Sequence, residues 1–341
     1  MAMKISRNLL LPFSFLYGGV VRLRNVLFDT GVIKSNLISI PSIGVGNLSS
    51  GGTGKTVVVD YLINLLKKEH HIGVLSRGYK RKTFGLVHAS NSSTVEEIGD
   101  EPFQLFKKHP EISMIVAEKR SLGVQSFIDS DLVPDVLLLD DVMQHRYITS
   151  KIMILTTTYN LPYFSDTLLP SGNLREPISG KKRAQIILVN KCPDSLSMCK
   201  QDVFLDRIKA SRNQCVFFTK INYGLNVISE KNSMPLALLK ESFLLITGIA
   251  NPEPLKVFLA DKGFNFSHLS FSDHHPFSQG DLKKIKTQKR RRIILTTEKD
   301  FTRLNPIWEG EDLYYLPIEM EFVNSSDQEI FDKLIKKAMI T

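Results

Sequence analysis

The chain has 341 residues, 43% hydrophobic and 23% charged, which is enough for two packed domains and excludes wholesale disorder. Its formal net charge of +9 suits an anionic partner, yet aromatics are not interleaved with Lys and Arg as single-strand binding requires, so no nucleic acid is expected. Three cysteines, Cys192, Cys199 and Cys215, form no CxxC pair and cannot close a disulfide framework, which points to a reducing compartment.

The first element is an apolar run from Leu9 to Val21, flanked by Arg7 on one side and by Arg22 and Arg24 on the other. It is shorter than the ~20 residues of a spanning helix. No small-x-small cleavage site follows, which argues against a signal peptide. Two readings stay open: a helix lying in the membrane interface with its arginines at the anionic surface, or a helix packed on the protein's own core.

Short Val-, Ile- and Leu-rich runs then alternate with helical stretches. Leu37–Gly46 reads as a buried strand and Lys55–Lys68 as a helix. Further strands are expected at His71–Arg77, Ser113–Glu118, Pro134–Asp141, Ala184–Lys191 and Gln214–Lys220. This alternation predicts an α/β fold, a parallel sheet covered by helices on both faces. After a weakly patterned stretch, a second alternation begins with a strand at Ser242–Gly248, a helix at Asn251–Gly263 and a strand-to-helix passage at Arg291–Asp300. An amphipathic helix at Ile330–Met339 closes the chain. The expected organisation is an N-terminal apolar and basic helix (1–35), a nucleotide-binding domain (36–221), a linker (222–240) and a smaller C-terminal α/β domain (241–341) that closes a cleft.

Between the first strand and the first long helix lies "NLSSGGTGKT" (Asn47–Thr56). Strand, glycine-rich loop, Lys-Thr and helix in that order make a P-loop, although Ser49 stands where the usual first glycine would be. Gly51, Gly52 and Gly54 let backbone N–H groups close on phosphate oxygens, so the loop from Ser49 and Ser50 through Thr53 to Lys55 and Thr56 should hold a nucleoside triphosphate. In that setting Lys55 bridges the terminal phosphates and Thr56 ligates Mg²⁺. "VLLLDD" (Val136–Asp141) ends a strand in two acids, the arrangement in which a carboxylate reaches the metal. Asp140 and Asp141 alternate faces and should have different jobs. "NKCPD" (Asn190–Asp194) sets its Asp one residue late for a guanine-reading motif.

An ordered set of segments resembles the tetraacyldisaccharide 4'-kinases, which phosphorylate a lipid A precursor. These are "VGNLSSGGTGKT", "SRGYKRK" (Ser76–Lys82), "GDEP" (Gly99–Pro102), "DDVMQH" (Asp140–His145), "LLPSGNLREP" (Leu168–Pro177), "TGIANPEP" (Thr247–Pro254), "FSDHHPF" (Phe271–Phe277) and "TTEKDFTRL" (Thr296–Leu304). The resemblance implies ATP and Mg²⁺ as cofactors, and an acylated glucosamine disaccharide 1-phosphate as acceptor. It also implies work at an anionic membrane surface, the cytoplasmic face of the bacterial inner membrane, as a peripheral or monotopic protein with no obligatory protein partner. Asp100 becomes the base or orienting group, paired with His274 or, failing that, His275. Arg175 becomes a stabiliser of phosphoryl charge, and Glu176 a further Mg²⁺ ligand. Arg77 and Arg120 fall in family-like segments and suit phosphate contacts. Lys299 and Asp300 receive no role. Val142 and Met143, where the family usually has small or aromatic residues, and Val57, where Pro is common, should change packing only. A nucleotide-driven switch or assembly ATPase would need only the P-loop, and a kinase of a soluble sugar would have no use for the N-terminal run.

Overall fold

The structure, a computed structural model, describes residues 7, 9–239, 242–290 and 292–340. Met1–Ser6 and Asn8 of the expected N-terminal segment, Lys240 and Glu241 at the expected linker boundary, and Arg291 and Thr341 lie outside the described residues.

The larger sheet has nine strands in the order Ile318–Phe322, Cys215–Tyr223, Ile186–Asn190, Ile152–Thr158, Ser42–Asn47, Val136–Asp140, Ile72–Ser76, Ser113–Val116 and Val87–His88. The seven inner strands are parallel, and only the two outermost pairings are antiparallel. Strand Ser42–Asn47 is buried along its length and sits between Val136–Asp140 and Ile152–Thr158. Its carboxyl end therefore opens where connections leave in both directions, the usual position of a ligand crevice in an open parallel sheet. Val58, Val59, Leu62 and Ile63 of the helix Lys55–Leu66 cover one face, packing on Ile43, Val45 and Leu138.

The smaller sheet has six strands in the order Ser233–Pro235, Asn226–Ile228, Leu313–Leu316, Ile294–Thr297, Phe243–Thr247 and Phe266–Ser270. The chain trace departs from the expected segmentation in two places. The supposed linker contributes the antiparallel pair Asn226–Ile228 and Ser233–Pro235, whose Val227 is fully buried in the smaller core. The C-terminal stretch returns to the larger sheet: Ile318–Phe322 pairs with Cys215–Tyr223, and the helix Ser325–Ile340 buries Phe331, Ile335 and Met339 beneath the P-loop helix. The apolar side of that helix needed a partner, and the larger sheet's open flank supplies it.

The helix Leu11–Asp29 is polar on its protein side and apolar on its outer side. Ser14, Gly18 and Asn25 are buried with Val21 and Phe28, while Phe13, Phe15, Leu16, Val20 and Leu23 are 61–72% exposed. Ser14 Oγ donates to Ser171 Oγ at 2.8 Å, Tyr17 donates to Arg175 O at 2.8 Å, and Arg24 donates to Gln144 O at 2.7 Å. Among the described residues no helix is long and apolar enough to cross a membrane.

Candidate active site

The glycine loop leaves strand Ser42–Asn47 and enters the helix at Lys55 through Gly54, whose φ of +89° is left-handed. A side chain at Gly54 would also lie 2.9 Å from Asn190 Nδ2, so glycine is required twice over. Polar groups pin the loop from several sides. Asn190 Nδ2 donates to Thr53 O at 2.7 Å, and Lys191 Nζ donates to Gly52 O at 2.7 Å. Thr53 Oγ1 receives Asn47 Nδ2 at 2.9 Å and meets Thr156 Oγ1 at 2.8 Å. Ser50 N–H donates to Asn173 O at 2.6 Å, and Ser49 bridges to Leu174. The exposed Gly51 and Gly52 and the half-buried Lys55 and Thr56 are left to face a ligand, at a helix N-terminus that favours phosphate.

The two acids of the neighbouring strand differ sharply. Asp140 is buried, with Oδ2 accepting from Ser76 Oγ at 3.0 Å and Oδ1 lacking a partner among the described residues. Burial, followed by the nearby Glu101, pushes its carboxyl up to about 6. Asp141 follows with φ +49°, which turns its carboxylate towards Arg175. Arg175 grips it with a fork at 3.1 and 2.7 Å, and Lys55 Nζ lies 3.7 Å away. Burial alone would raise Asp141, but the Arg175 bonds and the Lys55 charge hold it well below the usual carboxylate range. Arg120 is buried and donates to Ala117 O at 2.5 Å and Asp140 O at 2.9 Å, so it braces the strand end rather than facing a phosphate. His145 is pushed down to about 4 by burial and then by Arg120 and Arg77.

Glu176, expected beside the metal, engages protein partners through one oxygen, and its Oε1 lacks a partner among the described residues. It is buried, and Oε2 accepts from Arg183 at 2.6 Å and from Asn25 at 3.4 Å. A carboxylate this buried demands a cationic partner, and Arg183 supplies it. Hard oxygen donors suited to Mg²⁺ are present in Thr56, Asp140, Asp141 and Glu176, and the orphaned Oδ1 of Asp140 and Oε1 of Glu176 fit ligands seeking a cation. Val142 and Met143 are both buried, and Met143 packs directly over Gly46.

Asp100 begins the helix Asp100–Lys108, immediately after Gly99 at φ +90°. It meets the second sheet there. His274 Nδ1 lies 2.6 Å from Asp100 Oδ2 across 174 residues of chain, and the pair is nearly closed to solvent. His274 is itself left-handed, at φ +56°, with its N–H donating to Gly248 O at 3.1 Å. His275 points away, its Nε2 at 3.0 Å from Asp281 Oδ2, so of the two candidates His274 is the one joined to Asp100. Burial raises Asp100, but the His274 bond and the Arg303 charge, 3.7 Å away, outweigh it and hold the carboxyl below its ordinary value. Asp300 is fully buried and accepts from Gly248 N–H at 2.8 Å, from Thr297 Oγ1 at 2.7 Å and from Arg303, which ties the DHH loop to the EKD helix.

A P-loop facing a carboxylate–imidazole pair across two sheets can bring a nucleotide phosphate to a hydroxyl, and comparison with known proteins agrees. The family model described as tetraacyldisaccharide-1-P 4'-kinase matches residues 6–339. The chain belongs to the tetraacyldisaccharide 4'-kinase family. Curated relatives bearing that name include one from Flavobacterium johnsoniae, 44% identical with 97% of this chain and 96% of the relative covered, and one from Bacteroides thetaiotaomicron, 40% identical with 96% and 92% covered. Among solved structures, the apo form of LpxK from Aquifex aeolicus in complex with ATP matches with a TM-score of 0.80 at 31% identity, covering 98% of this chain and 99% of that one.

Several residues of this family member's site lie in segments noted in the sequence but were given no role there. Asn47, Asn173, Asn190 and Lys191 hold the glycine loop, and Arg303 stands beside Asp100. The Asn190–Lys191 pair was visible as a failed guanine motif, and its two side chains buttress the loop instead. Tyr79, edge-on to His274 at 5.7 Å between ring centres, was visible only as part of a segment.

Proposed function

We propose that this protein transfers the γ-phosphoryl group of ATP to the 4'-hydroxyl of a tetraacyldisaccharide 1-phosphate. The observation that carries the reading is the Asp100–His274 pair, made by a helix of the larger-sheet unit and a loop of the smaller, with Glu101 beside it close enough to act on Asp140 next to the P-loop strand. Phosphoryl transfer asks a protein chiefly for alignment and charge neutralisation. The amides of Gly51–Thr56 and the Lys55 ammonium hold the terminal phosphates. Arg175 braces Asp141 beside Lys55 and lies close enough to share the developing charge. Thr56, Asp140, Asp141 and Glu176 are the groups that would hold Mg²⁺, which when bound neutralises phosphate charge and orients the leaving group. The acceptor oxygen forms its bond to phosphorus, the bond to the β-phosphate oxygen breaks, ADP leaves with that electron pair, and Asp100 takes the hydroxyl proton.

A lipid acceptor is favoured over a soluble sugar by the outward apolar face of the helix Leu11–Asp29. A mostly apolar hollow of about 480 Å³ lies between that helix and the 166–179 loop, lined by Leu11, Phe15, Leu168, Leu174 and Ile178, wide enough for acyl chain. The helix would lie in the cytoplasmic leaflet of the inner membrane, with the basic charge of the chain drawn to anionic headgroups. A nucleotide switch has no need of the Asp100–His274 pair. The deciding experiment supplies labelled ATP, Mg²⁺ and the tetraacyldisaccharide 1-phosphate in detergent. Label in a bisphosphorylated lipid supports the reading, and ATP hydrolysis without labelled lipid overturns it.

A further inference from the structure

The helix Glu298–Leu304 places Lys299 and Arg303 four residues apart, on one face, against the Asp100–His274 pair. Arg303 attends Asp100, whereas Lys299 Nζ lies 2.8 Å from His274 Nε2, the ring nitrogen that Asp100 does not use. The carboxylates of Glu101 and Asp273 stand 3.7 and 3.9 Å from the same ammonium and balance its charge.

We propose that Lys299 is a positioning residue that fixes the tautomer of His274 and thereby assigns the proton-accepting role to Asp100, an inference that rests on the kinase reading above. An ammonium has three protons and no lone pair, so at this distance Lys299 can only donate and Nε2 can only accept. A neutral ring that accepts at Nε2 carries its proton on Nδ1, and Nδ1 is the atom facing Asp100 Oδ2. The three groups form a directional chain: Lys299 donates to His274, and His274 donates to Asp100. With its Nε2 lone pair engaged, the imidazole is not the base in this arrangement. It orients a carboxylate whose Oδ1 is left to meet the acceptor hydroxyl. Lys299 and His274 both belong to the smaller-sheet unit, so the contact that orients the ring lies within one unit and the contact to Asp100 joins it to the other.

The test uses the full-length protein with Lys299→Met, which keeps the stem and removes the charge, and Lys299→Arg, which restores a donor. Two-bond ¹⁵N correlation spectra, with the His274 signal assigned through His274→Gln, read the tautomer without turnover. Steady-state kinetics separate kcat from the KM for ATP, and thermal unfolding confirms that each variant is folded. The expected result is a His274 signal of the Nδ1–H form in the unaltered protein that becomes mixed in Lys299→Met. It should be accompanied by a fall in kcat of about a hundredfold, the lower end of what a positioned acid–base group contributes, with the KM for ATP little changed and partial recovery in Lys299→Arg. If either the tautomer or kcat of Lys299→Met stays as in the unaltered protein, the proposal is overturned. A parallel rise in the KM for ATP without a tautomer change would make Lys299 a phosphate contact instead, and would also overturn it. Should the unaltered protein phosphorylate no lipid, the kinase reading fails, while the tautomer measurement still decides the role of Lys299.

Discussion

The glycine loop and the DHH–EKD corner confront one another across the cleft, and they are built on opposite plans. In the loop, the groups that face a ligand are consecutive in sequence, and the fold's work is to brace them from behind with Asn47, Asn173, Asn190 and Lys191. In the corner, the groups that matter come from three segments: Asp100 from the start of a helix packed with the larger sheet, His274 from a left-handed loop position, Lys299 and Arg303 from one helix beyond it. The loop is local chemistry with remote support. The corner is remote chemistry assembled by packing.

That contrast can be broken by substitution. The largest effect should come from Lys55→Ala, which removes the cation of the loop and should lower phosphoryl transfer about a thousandfold or more, measured by single-turnover transfer from labelled ATP. Asp100→Asn strikes the corner. It should cost about a hundredfold or more in kcat while ATP binding, followed by titration calorimetry, stays near its original value. Equal losses in both quantities would erase the distinction between the two regions.

Behind the loop, Arg183→Met strands the buried Glu176 and should cost about 2 kcal/mol in urea unfolding, the penalty of an unpaired buried polar group, with a smaller effect on kcat. Asp60, on the P-loop helix, is held below its usual range: burial raises it, but the bond to His109 and the charge of Lys108 prevail. A depressed carboxyl stabilises the fold above its unfolded value, and that contribution is lost as pH falls through the folded one. Urea midpoints should therefore fall less steeply on acidification in Asp60→Asn, and an unchanged acid limb would remove Asp60 from the explanation. The smallest effect on turnover in detergent belongs to Leu16→Asp combined with Leu23→Asp, on the exposed face outside the hollow, which should abolish co-flotation with anionic vesicles. Retained flotation would show that the outer face of the helix is not the membrane contact.

What could be read from sequence follows the same division. The parallel core strands were legible because burial on both faces writes them as unbroken Val, Ile and Leu. Ile152–Thr158 was not, because its second half is Thr-rich, and Thr156 and Thr157 are buried there as partners of the loop and of Tyr163 N–H. Asp100 and His274 came from motif resemblance, and their meeting depends on packing that no local pattern encodes. Arg183, seven residues on in a short 3₁₀ turn, was not legible as the partner of Glu176, and it engages only one oxygen of that carboxylate, leaving Oε1 without a partner among the described residues. For the N-terminal helix, packing on the protein is seen through Ser14, Gly18, Val21, Asn25 and Phe28, while the other large apolar residues stay outside, where the membrane reading rests on the vesicle experiment.

The return of the last residues to the larger sheet has a consequence for synthesis. Phe322, Phe331, Ile335 and Met339 fill the space under Val58 and Leu62, and Tyr61 on the same P-loop helix donates to Asp332 at 2.8 Å. While the ribosome is still extending the chain, the glycine loop and its helix are already made, yet the floor on which that helix rests has not emerged. In chain order the smaller sheet is inserted between the first and last parts of the nucleotide-binding half, so residues 318–339, and not only those up to 223, are needed to give that helix its floor.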